Sequence, residues 1–290
     1  MKKPVLTLSV TTMAIAAMLL VTAPAFGQGQ GAGPQGRNPA APSGPAPRLP
    51  DGHPDFSGLW ERAYTPDMTA FGRNQSPDPS LPDEPADPKA PGRAGARAKK
   101  QLPYTALGKK EWDAYDAANG DYTGSCMPFG LTRSINSPDP LQIMQNSKYL
   151  GLLFEQNTWF HVVRIGGEHP KNITPSWFGD SVAKWDGDTL IIDTIGFNGR
   201  TRLDTNGHPH SAQMHVIEKY TRTDLGHIAY EITIDDPVTY TKPWKNIRTF
   251  NLRTDWEIME YSCEENNKDF FEGHIKATAN PNDAASSFKK

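Results

Sequence analysis

Cysteine is scarce in this chain: there are two in 290 residues, Cys126 and Cys263. Two thiols are too few for a cysteine-rich zinc site or a small disulfide-stapled scaffold. An excess of either charge is also lacking. Thirty Lys and Arg stand against 33 Asp and Glu, for a formal net charge of −3. That balance argues against a nucleic-acid partner or an anionic membrane surface. There is no phosphate-binding loop and no dinucleotide fingerprint, and Gly179-Asp180-Ser181 lacks the spacing of a nucleophile elbow. No cofactor is therefore expected. Apolar runs are short after the first one, Val5–Val21, so no later segment reaches the length of a membrane span.

That first run follows Lys2-Lys3 and leads to Ala23-Pro24-Ala25-Phe26-Gly27. A basic start, an apolar middle and small residues at the exit make a secretory signal peptide over residues 1–27, with a periplasmic or secreted destination. An uncleaved anchor is the rival reading. Thr7, Ser9, Thr11 and Thr12 interrupt the run and no basic stop follows it, which favours cleavage. Residues 28–50 are Gly, Pro, Ala and Gln with almost no large apolar side chain, the composition of a disordered linker. One domain is expected over 51–282, followed by a tail at 283–290. Within the domain, Thr65–Leu102 is rich in Pro and charge and reads as an irregular insertion in which composition favours disorder. In an exported chain the two cysteines can form a disulfide; two free thiols are the alternative.

Thr105–Asn119 carries a partial apolar stripe, Leu107, Trp112, Tyr115 and Ala118, with Thr105 as N-cap and Gly120 as stop, and predicts the one helix. Strand patterns then follow one another: Leu141–Gln145, Lys148–Glu155, Thr158–Ile165, Ser181–Trp185, Thr189–Thr194, Gln213–Arg222, His227–Asp235, Asn246–Thr254 and Glu257–Cys263, after an early one at Phe56–Trp60. Asp186-Gly187 between Ser181–Trp185 and Thr189–Thr194 is a strong hairpin signal. Short strands joined by tight turns, with no helices between, predict a mainly β protein. An antiparallel up-and-down barrel of about 8 to 10 strands closes such a sheet, and a two-sheet sandwich is the alternative.

Gly58-Leu59-Trp60 resembles the Gly-x-Trp opening of lipocalins, and Trp185-Asp186-Gly187-Asp188-Thr189-Leu190 resembles a hairpin of fatty-acid-binding-type barrels. More of the chain, about Asp51 to Asn266, is similar to a group of exported bacterial proteins through Asp55–Trp60, Cys126-Met127-Pro128, Gly179-Asp180-Ser181, Asp235-Asp236-Pro237, Pro243-Trp244 and Glu260–Asn266. The resemblance implies a lipocalin-like (calycin) barrel and export. It brings no catalytic residues with it.

Candidate site residues follow from strand parity. In Gln213–Arg222, Val216, Glu218, Tyr220 and Arg222 share a face; in His227–Asp235, Ile228, Tyr230, Ile232 and Ile234 do. Glu155 ends, and Glu218 interrupts, a largely apolar or aromatic face. In a lumen either carboxyl would be raised in pKa and suited to acid–base work; on the outside it would be a solvated or paired carboxylate. His169 and His210, with Asp180, are the other candidates for proton transfer. Trp159, His161, Trp177, Tyr220 and Tyr230 are the candidates for contact with a flat or apolar ligand. His208 and His210 lack a metal-site spacing with carboxylates, so no metal is expected. Two functions stand: a barrel binding a small apolar or aromatic molecule, or a cofactor-independent lyase, isomerase or hydrolase on the same barrel. The hairpin points to a site, if one exists, at the end opposite its turn, near Trp177, Asp180 and Asp193. Protein recovered from an exporting host should begin at Phe26 or Gln28 by N-terminal sequencing; retention of the Val5–Val21 run would overturn cleavage.

Overall fold

Among the described residues ten strands form, and nine of them close a ring. In this computed structural model residues 40–85, 98–116, 121–265 and 267–268 are described. The strands are β1 (Gly58–Glu61), β2 (Gln75–Pro77), β3 (Leu141–Gln145), β4 (Tyr149–Phe154), β5 (Phe160–Ile165), β6 (Asp180–Asp186), β7 (Thr189–Ile195), β8 (His215–Arg222), β9 (His227–Asp235) and β10 (Trp244–Leu252). Each pairs with its neighbour in the order β3 to β10, and β1 closes the barrel by pairing with both β3 and β10. Short β2 adds to the part of β10 that β1 leaves uncovered, Asn246–Arg248.

The expected mainly β barrel is present, with one departure from an up-and-down course. A ring with an odd number of strands cannot alternate direction all the way round. The parallel neighbours are β5 and β6, held by Arg164↔Val182 and Ile165↔Ala183 alone. Parallel pairing requires the chain to return to its starting end, and residues 166–179 make that return.

Local chemistry explains the turns. Asn146 Oδ1 accepts from the backbone N–H of Lys148 at 2.8 Å and of Tyr149 at 2.9 Å, fixing the β3–β4 turn. In the β6–β7 hairpin the last pair is Asp186↔Thr189, so the central residues are Gly187-Asp188, one position later than the Asp-Gly reading. Only Gly187 has positive φ (58°), as hairpin loops with glycine at the first central position require. Gly58 has a φ of 142°, which residues with a side chain rarely adopt, and a Cβ there would crowd the Leu252 side chain of β10, 2.6 Å away.

Parity places Val216, Glu218, Tyr220 and Arg222 of β8 in the lumen, with Ile228, Tyr230, Ile232 and Ile234 of β9. Trp60, Phe154 and Phe250 fill the space between. Trp60 donates its indole N–H to Phe56 O at 2.9 Å and lies under the Arg222 guanidinium. The lumen is thus packed with side chains. The helix expected over Thr105–Asn119 is α1 (Ala106–Asp113), capped by Thr105 Oγ1, which accepts from Gly108 N at 3.0 Å. A second short helix, α2 (Leu131–Asn136), was not expected. All six of its residues are buried, and Arg62 and Arg248 donate to its carbonyls at Ser134 and Ile135.

Three expectations are corrected. The described part of Thr65–Leu102 packs on the barrel, with Met68, Ala70, Leu81 and Leu102 buried and Met68 N donating to Asp204 Oδ2 at 2.8 Å. A few apolar anchors and side-chain bonds hold it, and mean composition does not register them. Residues 41–50 likewise lie against the β8–β9 turn, with Leu225 N donating to Gly44 O at 2.9 Å. Glu257–Cys263 is not a strand. It crosses the outer face of β4–β5, held by Glu155 Oε2, which accepts from Met259 N, and by the bond of Cys263 to Cys126, with no ladder. The signal segment 1–27, most of the linker and the tail 283–290 lie outside the described residues.

Cys126 and Cys263 are bonded, with Cα atoms 5.5 Å apart and a sequence separation of 137. Among the described residues no helix is long and apolar enough to cross a membrane. Alkylation of the unreduced protein should label no thiol, and Cys263→Ser should lower stability in urea by up to about 4 to 5 kcal/mol, the loop-closure value for so long a loop. Two labelled thiols would overturn the bond.

Candidate functional site

Two grooves flank the β5–β6 seam. The larger, ≈ 480 Å³, lies between the outer face of β4 and β5 and the segment after β10. Leu153 pairs with Phe160 and Gly151 with Val162, so Gly151 leaves a low floor beside two outward apolar side chains. Ile258, Met259 and Glu260 form the opposite wall. This strap is tied down twice: by the Cys126–Cys263 bond, and by Glu155 Oε2, which accepts from Met259 N at 2.9 Å. Phe160 is 69% exposed and Met259 66%. The groove also reaches Trp159 and His161.

His161 is buried, and Phe178 lies against it with ring centroids 5.8 Å apart. Its Nε2 lies 2.7 Å from Ser181 Oγ, which is 2.6 Å from Thr194 Oγ1. Burial lowers its pKa to about 4, against the opposing pull of Asp180, so it is neutral at physiological pH.

The second groove, ≈ 360 Å³, is lined by Glu168, His169, Val182, Lys184, Ile191 and Asp193 among others. His169 Nδ1 lies 2.7 Å from Asp180 Oδ1 and its Nε2 3.0 Å from Asp193 Oδ1. Carboxylates only accept, so both bonds form together only when both ring nitrogens carry hydrogen. Arg164 grips Asp180 with two bonds, of 3.0 and 2.7 Å, and holds its carboxyl below the usual range, with His169 adding to the effect. His215 Nε2 is also 3.0 Å from Asp193 Oδ1, but its approach is too oblique for a hydrogen bond. This cluster sits at the end of the hairpin opposite its turn.

A third cluster is sealed in the lumen. Tyr220 and Tyr230 donate their hydroxyls to Glu218 Oε1, at 3.1 and 2.9 Å. Burial pushes the Glu218 carboxyl up to about 7, although both tyrosines oppose this. Arg62 and Arg248 are buried nearby, and burial lowers both.

The residues singled out from sequence therefore divide. Glu218, Tyr220 and Tyr230 come together; His169 and Asp180 come together; Trp159 and His161 share the larger groove. Glu218 is on the inner side of the wall and His169 on the outer, so they do not form one constellation. Glu155 anchors the strap. His210 is buried in a loop, where its Nδ1 donates to Ser211 O at 2.9 Å and its Nε2 lies 2.6 Å from Thr201 Oγ1. Trp177 lines neither groove and stacks under Arg200. His208 joins Asp67 and Asp204 in a buried cluster with cation-ligand spacing, and the Lys99 ammonium already lies 2.7 Å from Asp67 Oδ2.

Sequence reading missed Phe160, Val162 and Met259 as groove residues. A signal existed: Trp159–Ile165 is apolar on both faces of its strand, unlike a strand with one solvated face. No protein-family model matches this chain, and no curated protein matches it significantly.

Two of the buried titrating groups, Glu218 and His161, act on stability in opposite directions. Glu218, raised from 4.5 to about 7, contributes stability that is full below 4.5 and lost as pH rises through 7. His161, lowered from 6.5 to about 4, contributes stability that is full above 6.5 and lost as pH falls through 4. Each amounts to about 3 kcal/mol and they largely cancel between pH 4.5 and 6.5. Glu218→Gln should therefore make urea stability climb with pH across this window, and His161→Gln should make it fall. Parallel profiles for both variants and the parent protein would refute the assignment.

Proposed function

We propose that the protein is an exported, lipocalin-like barrel that binds a small apolar or aromatic molecule, and that its site is the groove between the outer wall of β4–β5 and the Ile258–Glu260 strap. One observation carries this reading. Phe160 and Met259 are 69% and 66% exposed and face one concave space of ≈ 480 Å³. Large apolar side chains held open to water around a concavity mark ligand or partner sites. The packed lumen supports a site outside the barrel rather than within it. Export rests on the N-terminal pattern of Lys2-Lys3 and Val5–Val21 and is supported by the bonded cysteines.

A second reading, a cofactor-independent acid–base enzyme, draws on His169 held between Asp180 and Asp193 in the smaller groove. Glu218 is sealed in the lumen and is not part of that groove, so binding is the better-supported function.

Protein purified from its native compartment should carry an unchanged small molecule detectable by mass spectrometry. Calorimetric titration with 2-naphthylmethanol should show saturable binding. Phe160→Ala should weaken it roughly 10- to 100-fold, the equivalent of about 1.5–3 kcal/mol for a buried ring. Absence of binding, or an unchanged affinity in Phe160→Ala, would sink the groove as the site.

A further inference from the structure

Resting on the groove reading, we propose that the ligand is a hydrophobic organic cation, an aryl- or alkylammonium, and that the groove discriminates by charge against neutral and acidic molecules of the same shape. Its chemistry is one-sided. Trp159 and Phe160 present aromatic rings to it, and ring faces attract cations. Glu260 lines the opposite wall and makes no ion pair among the described residues. Glu155 lies outside this lining; its Oε2 accepts from Met259 N and so positions the strap that carries Glu260.

No Lys or Arg lines the groove. Behind the wall, on the lumen side, the Arg62 guanidinium sits over Phe154 at 5.4 Å. It is buried, and its two terminal nitrogens are committed to the carbonyls of Ser134 and Asp139. His161 is neutral and supplies no charge. A carboxylate ligand would thus meet the Glu260 carboxylate and no counter-charge, whereas an ammonium ligand would meet that carboxylate and up to two ring faces. The apolar body of either would rest on Leu153, Val162 and Met259 alike, so charge is what separates them.

The test uses the oxidised, full-length protein and three probes of one shape: 2-naphthylmethylammonium, 2-naphthylmethanol and 2-naphthoate. The ammonium should bind more tightly than the alcohol by roughly 3- to 30-fold, the range expected for cation–π and partly exposed charge contacts. The naphthoate should bind most weakly. Added salt should shrink the ammonium-to-alcohol ratio, because Glu260 is exposed. Glu260→Gln should cut that ratio several-fold. If the alcohol binds and the ammonium gains nothing over it, or if the ratio survives Glu260→Gln, charge selection is wrong while the groove stands. If none of the three binds, the groove reading fails and this inference falls with it.

Discussion

Nine strands cannot alternate in direction around a closed ring, and the rest of the architecture follows from where that conflict is resolved. It falls between β5 and β6, the one parallel seam, held by two residue pairs. So short a ladder leaves the strands splayed at their other ends. Phe178 fills the gap, stacked near Phe154, Trp159 and His161. Side-chain bonds replace part of the missing ladder, among them His161 to Ser181 and Arg164 to Asp180. The 166–179 return needed for parallel pairing carries His169 back over Asp180 and Asp193. Both grooves lie beside this seam, one on β4–β5 and one on β6–β7. A packed lumen and an imperfect wall together put concave, chemically varied surface on the outside of the barrel.

The lumen itself is a polar core of high constraint. Glu218 is buried with two tyrosine hydroxyls on one of its oxygens, and two buried guanidiniums stand near it. Removing a partner from such a cluster is costly, because the remaining group stays desolvated. Its raised carboxyl and the depressed His161 both mean that burial, more than neighbouring charge, sets the proton affinity. The two shifts oppose one another, so stability near neutrality hides two sizeable pH dependences.

Much of the fold was legible in the chain. The expected strands from Leu141 to Thr254 all appear, most within a residue or two, because period-two alternation and turn residues such as Asn146 and Gly187 act locally. Glu218 with Tyr220 and Tyr230 was readable from parity, since neighbouring antiparallel strands bring same-face residues together. The failures share a cause. The stretch 65–85 was read from mean composition, but Met68, Leu81 and a few bonds to Asp204 and Asn246 hold it. Glu257–Cys263 has strand-like residues, but side-chain and disulfide anchors hold it across β4–β5 in place of a ladder. Phe160 and Val162 were legible as apolar, but not as outward-facing beside a strap whose position depends on a bond back to Cys126.

The class of fold, the succession of strands and the faces that side chains share are written in the chain, because they depend on neighbours two to four residues apart. Only the tertiary structure decided which face is the lumen, that the ring closes on nine strands with a parallel seam, and that the strap crosses β4–β5. Those are outcomes of contacts such as Gly58 with Leu252, Arg164 with Asp180 and Glu155 with Met259, whose partners are 16 to 194 residues apart. No local pattern encodes them, since each is set by which surfaces remain unpaired once the barrel has closed.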